Sequence, residues 1–137
     1  MSQTINPHTA LIYVMVTMSA VDAAISDNET RKIGNIVTNL PVFKDFNPER
    51  LVSVAEECAS ILAEEGGLDA VFGLARDALP PHMYETAYAL AVDVAAADLA
   101  VGQEELRLLQ ILRDTLGIEK LSAAAIERGA RARHATL

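Results

Sequence analysis

The sequence predicts an all-α fold, a single compact bundle of about seven helices, and three observations carry that prediction. Apolar residues make up 51% of the chain but aromatic residues only 4%, a balance rich in Ala and Leu that favours closely packed helices over sheets. Apolar positions recur at three- and four-residue steps along most segments, and no two-residue alternation survives beyond a few positions. Capping and breaking residues then divide the chain at helix-length intervals. At 137 residues, the simplest organisation is one domain over 1–137, which buries about two-thirds of the surface its unfolded chain exposes.

The first helix is expected from about Pro7 to Ala24, since proline is tolerated in a first turn. Ser26-Asp-Asn-Glu29 has the form of a capping box and opens a second helix, which runs to about Leu40 and stops at Pro41. PVFKDFN, residues 41–47, reads as the longest irregular connection. Asn47-Pro48-Glu49 supplies a cap, a first-turn proline and an acid suited to the helix dipole, so a third helix is expected to about Glu65. Gly66-Gly67 ends it. A fourth, weaker helix covers about Leu68 to Leu79 and is closed by Pro80-Pro81. The fifth is expected from about His82 to Ala100, the sixth from Gly102 to near Gly117, and the seventh from Glu119 to about Arg133. Arg128, Arg131, Arg133 and His134 form a basic tail at about 128–137, expected to fray, or to fold onto the acidic body or a second subunit.

Charge and composition exclude several functions. A net charge of −8 and a pI near 4.7 argue against nucleic acid as a partner, which calls for a basic face. They suit attraction of cations or of a basic protein. Cys58 is the single cysteine, so neither an internal disulfide nor a cysteine zinc site can form. The opening MSQTINPHTA lacks the features of a secretory leader. Leu11 to Ile25 is interrupted by Ser19 and Asp22 and is too short for a membrane span. A cytoplasmic location is the expectation. No Ser/His/Asp constellation, phosphate-cradling glycine loop or dinucleotide fingerprint occurs, and no enzyme activity is expected.

The chain carries an internal repeat. Shifted by 76 residues, Val16, Ala20, Asp22, Ala24, Glu29, Arg31 and Leu40 face Val92, Ala96, Asp98, Ala100, Glu105, Arg107 and Leu116. Such self-similarity predicts two pseudo-symmetric helix–turn–helix hairpins, at about 8–40 and 82–117. Within each, the helical stripes lead into a carboxylate. Leu11, Met15, Met18 and Asp22 share one face, as do Glu29, Ile33, Ile36 and Leu40. Ala87, Ala91, Val94 and Asp98, then Glu105, Leu109, Leu112 and Leu116, repeat the pattern.

A carboxylate leaning toward a core needs a compensating partner, because its uncompensated burial costs several kcal/mol. Two kinds of partner suit Asp22, Glu29, Asp98 and Glu105. Backbone amides of the turns would make them helix caps. A hard divalent cation (Ca²⁺, Mg²⁺ or Mn²⁺) would suit their oxygen donors, with the two turns pooling their acids. The dense acidic loop of an EF-hand is missing, and no Glu-x-x-His of a di-iron site occurs. A metal-free scaffold binding a basic protein is the alternative function, and a carboxylate-based hydrolase is a third.

The paired Ala-x-Asp-x-x-[Ile/Val]-x-x-x-Glu segments, with Leu40-Pro-Val-Phe43 after the first and Glu104-Glu105-Leu106 in the second, resemble the TerB family of tellurite-resistance proteins. The similarity covers about Thr9 to Gly117. The resemblance implies an all-helical cytoplasmic protein of stress resistance without established enzymatic activity. It also implies divalent-cation binding, with Asp22, Glu29, Asp98 and Glu105 at the family's acidic positions. The family usually has Asp-Gly where this chain has Asp22-Ala23 and Asp98-Leu99.

Other residues are expected to be structural. Cys58 continues the stripe Leu51, Val54, Ile61 and reads as a small core residue. His8 and His82 each follow a proline and are expected to be solvated. Tyr84 and Tyr88, one turn apart, are expected to pack together or rim the core. Glu56, Glu57, Glu64 and Glu65 read as a solvated face. Gly34 and Gly73 interrupt helices at about 1 kcal/mol each relative to Ala, which suggests close helix approach.

Overall fold

The computed structural model describes residues 5–20, 27–96 and 102–137, with backbone alone for 27–29. Those residues contain seven α-helices and no strand: α1 (Pro7–Ser19), α2 (Asp27–Asn39), α3 (Leu51–Leu62), α4 (Gly67–Ala78), α5 (Tyr84–Ala95), α6 (Gln103–Leu116) and α7 (Lys120–His134). The all-α prediction holds.

The sequence of α1 contains no Asp, Glu, Lys or Arg, and every residue from Thr9 to Ser19 is buried. It is the central helix, with α3, α4 and α5 packed around it. The apolar stripe read from Leu11, Met15 and Met18 is therefore only part of its contact surface. A helix apolar on all sides belongs inside a core. Two of its hydroxyls bond back to the helix: Thr17 donates to the Tyr13 carbonyl at 2.8 Å and Ser19 to the Met15 carbonyl at 3.2 Å. At its start, Asn6 caps the helix by accepting from the Thr9 amide at 2.8 Å, with Pro7 in the first turn.

α5 is the second structural axis, joining α1 to α6 and α7. Ala87, Ala91 and Val94 point inward, as their spacing predicts. So do Ile33, Ile36 and Val37 of α2, and Leu109, Leu112 and Leu116 of α6. Cys58 is fully buried. Burial pushes its thiol up to about 11, so at neutral pH it is an un-ionised core group.

The punctuation works as read in most places, with physical refinements. Residues 41–47 are anchored: Pro41–Phe43 forms a 3₁₀ turn, and Phe43 and Phe46 enter the core. The Asn47 side chain caps Glu49 at 3.0 Å, but the first turn, Pro48–Arg50, is 3₁₀ and α3 starts after it. α3 ends at Leu62 and Gly66 turns with φ 74°. Gly67 has a steric role, since a Cβ there would lie 2.1 Å from the Ile61 carbonyl oxygen. Gly117 closes α6 with φ 67° and bonds back to Arg113 and Asp114.

Three expectations need correction. Gly34 and Gly73 do not mark close approach, because nothing lies within 4 Å of a Cβ added at either. His8 is half-buried rather than solvated. Its Nε2 pairs with the Val42 carbonyl at 2.7 Å, and its ring lies 5.7 and 5.6 Å from those of Phe43 and Phe46. That histidine ties the 41–47 connection to α1. Of the two tyrosines only Tyr84 rims the core, donating to the Arg76 carbonyl at 2.9 Å, while Tyr88 is fully buried within it. His82 and the four glutamates of the α3 region are exposed, as expected.

Candidate functional site

The acidic motifs sit where α1 and α5 end and α2 and α6 begin. α1 is capped at Ala20 and α5 at Ala96, while α2 starts at Asp27 and α6 at Gln103. The 76-residue offset is thus kept at both boundaries. It is a correspondence of position along the chain and does not establish a symmetry axis.

Asp22 and Asp98 lie outside the described residues, as do the Glu29 side chain and Ser26. Glu29 is the third residue of α2, and Glu105 is the third residue of α6. Glu105 is half-buried, whereas its neighbour Glu104 is exposed. Its Oε1 lies 3.9 Å from where a Cβ on Gly102 would stand. The side chain therefore folds back over its own N-cap, where the helix dipole favours an anion. This is the position of the acid in a capping box, and Gly102 contributes no side chain of its own to the cap. An oxygen donor held at a turn also has the chemistry that a hard cation takes. Among the described residues, no group of three or more His, Cys, Asp or Glu is gathered to hold an ion.

A second polar constellation, which the sequence reading missed, joins α5, α6 and α7. The Tyr88 hydroxyl donates to Glu127 Oε2 at 2.5 Å. Arg113 Nη1 reaches the same oxygen at 3.4 Å. Burial, then the bond to Glu127, raise the Tyr88 phenol well above its ordinary value, so it stays a donor. Nearby, Arg133 of α7 pairs with Asp93 of α5 at 2.6 Å, and His134 Nε2 stands 3.5 Å from the same oxygen. The basic tail thus continues α7 and folds onto the body instead of fraying. A sequence signal existed in Asp93, a lone acid within the apolar run Ala87–Ala97. The pairing with α7, about 40 residues away, left no trace in local spacing.

The α5–α6–α7 constellation borders a crevice of about 630 Å³. Its walls are mostly apolar, from Val92, Ala95, Leu109 and Ala130, and its rim carries Gln110 and Arg131. No described helix is long and apolar enough to cross a membrane.

Residues 8–131 match the family model described as Tellurite resistance protein TerB. No curated protein and no solved structure matches the chain.

Proposed function

Because the chain belongs to the TerB family, we propose that it is a non-enzymatic, cytoplasmic module of tellurite-resistance-type stress response that binds a divalent cation through its duplicated acids. The observation that carries this reading is the family match across both motifs. It is supported by the equal placement of Glu29 and Glu105, each third in its helix. Asp22, Glu29, Asp98 and Glu105 would hold the ion, whose charge would offset that of the four carboxylates. Binding would fasten the two turns to each other and fix the surface offered to a protein partner.

One observation favours a second reading, a metal-free interaction scaffold. Glu105 folds back over Gly102, as a helix-capping acid does. In that case the acids stabilise their own helices, and the acidic surface binds a basic protein with or without chelator.

Calorimetric titration with Ca²⁺, Mg²⁺ and Mn²⁺ separates the two. The cation reading predicts saturable heat with at least one ion, weakened at least about tenfold in Asp22→Asn and in Asp98→Asn, about 1.4 kcal/mol each. No heat with any of the three ions, together with an unchanged melting temperature, supports the scaffold.

A further inference from the structure

The crevice between α5, α6 and α7 differs from the acidic turns in composition and charge. Small residues shape it: Ala95, Ala96 and Ala130 stand where larger side chains would fill the space. Its volume of about 630 Å³ falls within the range that holds small molecules, about 300–1,000 Å³. Leu106, half exposed, extends the apolar surface to the mouth.

The electrostatics of the lining run against those of the whole chain. The protein carries a net charge of −8, yet among the described residues the crevice lining holds two guanidinium groups, Arg113 and Arg131, against one acid, Glu127. That acid is already satisfied by the Tyr88 hydroxyl and by Arg113. Arg113 spends one long contact of 3.4 Å there, which leaves most of its five donors. Arg131 is exposed at the rim and has no ion-pair partner among the described residues. Gln110 adds amide donors to the same lining. An apolar trough that ends in one unmatched guanidinium group, that of Arg131, suits one ligand class.

We propose that this crevice binds a small amphipathic monoanion, an aliphatic carboxylate whose tail lies along Val92, Ala95 and Leu109 and whose head meets Arg131. The tail gains from removal of apolar surface from water. The head gains from charge-assisted bonds, which are about twice as strong as neutral ones. The ligand is a free molecule rather than a bilayer, because the site is concave and a chain of charge −8 is repelled by an anionic membrane surface. This inference is independent of cation binding and of the family reading.

Titration of the full chain with decanoate, kept below its micelle concentration, tests it by calorimetry and by amide chemical shifts. Saturable binding is expected, with shifts confined to α5, α6 and α7. Decanol and decyltrimethylammonium should bind at least about tenfold more weakly, and Arg131→Ala should weaken decanoate about tenfold. Arg131 is exposed, so its replacement leaves the fold intact. Ala96→Phe, at the half-buried end of α5, should block binding while circular dichroism and melting temperature hold. Absence of saturable decanoate binding overturns the proposal. So does equal affinity for decanol with no effect of Arg131→Ala, or retention by anionic vesicles without binding of the free carboxylate.

Discussion

α1 and α7 are held in the same bundle by opposite means. α1 has no charged residue and is buried from Thr9 to Ser19, so non-directional burial against α3, α4 and α5 fixes it. α7 buries only Ala123 and Ala130. A few directional contacts attach it to its neighbours: Glu127 to Tyr88 and Arg113, and Arg133 to Asp93. Burial makes a core that tolerates no loss of volume. Directional attachment makes a seam that leaves space beside it, and the α5–α6–α7 crevice is that space.

The comparison predicts a graded series of effects in urea unfolding. Leu11→Ala, at a fully buried α1 position, should destabilise the chain by about 2–5 kcal/mol, the range for a core cavity. A loss below about 1 kcal/mol would mean that α1 is not the centre of the core. Tyr88→Phe removes one hydroxyl from the seam and should cost about 1–2 kcal/mol. It also carries a pH signature. The folded phenol is raised above its ordinary value of 10.0. Its contribution is therefore complete below pH 10 and declines as pH rises above that value. The mutant should lose this alkaline decline. Gly73→Ala, in open space within α4, should stabilise by about 0.5–1 kcal/mol through helix propensity. Destabilisation there would restore the close approach that the spacing of the sequence suggested.

Much of this architecture was legible because it is local. Pro41, Asn47-Pro48, Gly66-Gly67, Pro80-Pro81 and Gly117 act within one turn of where they stand, and each marks a helix boundary or the turn beside one. The inward stripes of α2, α5 and α6 follow from periodicity alone. What escaped depends on contacts distant in sequence. The burial of α1 on every side reflects three other helices. His8 bonds to Val42, 34 residues on, and Tyr88 to Glu127, 39 residues on. Gly34 and Gly73 were misread because a glycine shows where a side chain is missing but not whether a neighbour needs the room. The acidic motifs were visible through their repetition, and the ends of α1 and α5 and the starts of α2 and α6 fall at matching places in the two copies. Whether they share an ion is a separate matter of spatial convergence.

That convergence is open to direct measurement with Mn²⁺, whose unpaired electrons broaden the amide signals of nearby residues. Substoichiometric Mn²⁺ should broaden the first turns of α2 and α6 together, around Glu29 and Glu105, and Asp98→Asn should abolish both effects at once. Broadening of one turn alone, or diffuse broadening over the exposed Glu56, Glu57, Glu64 and Glu65 face, would contradict a shared site.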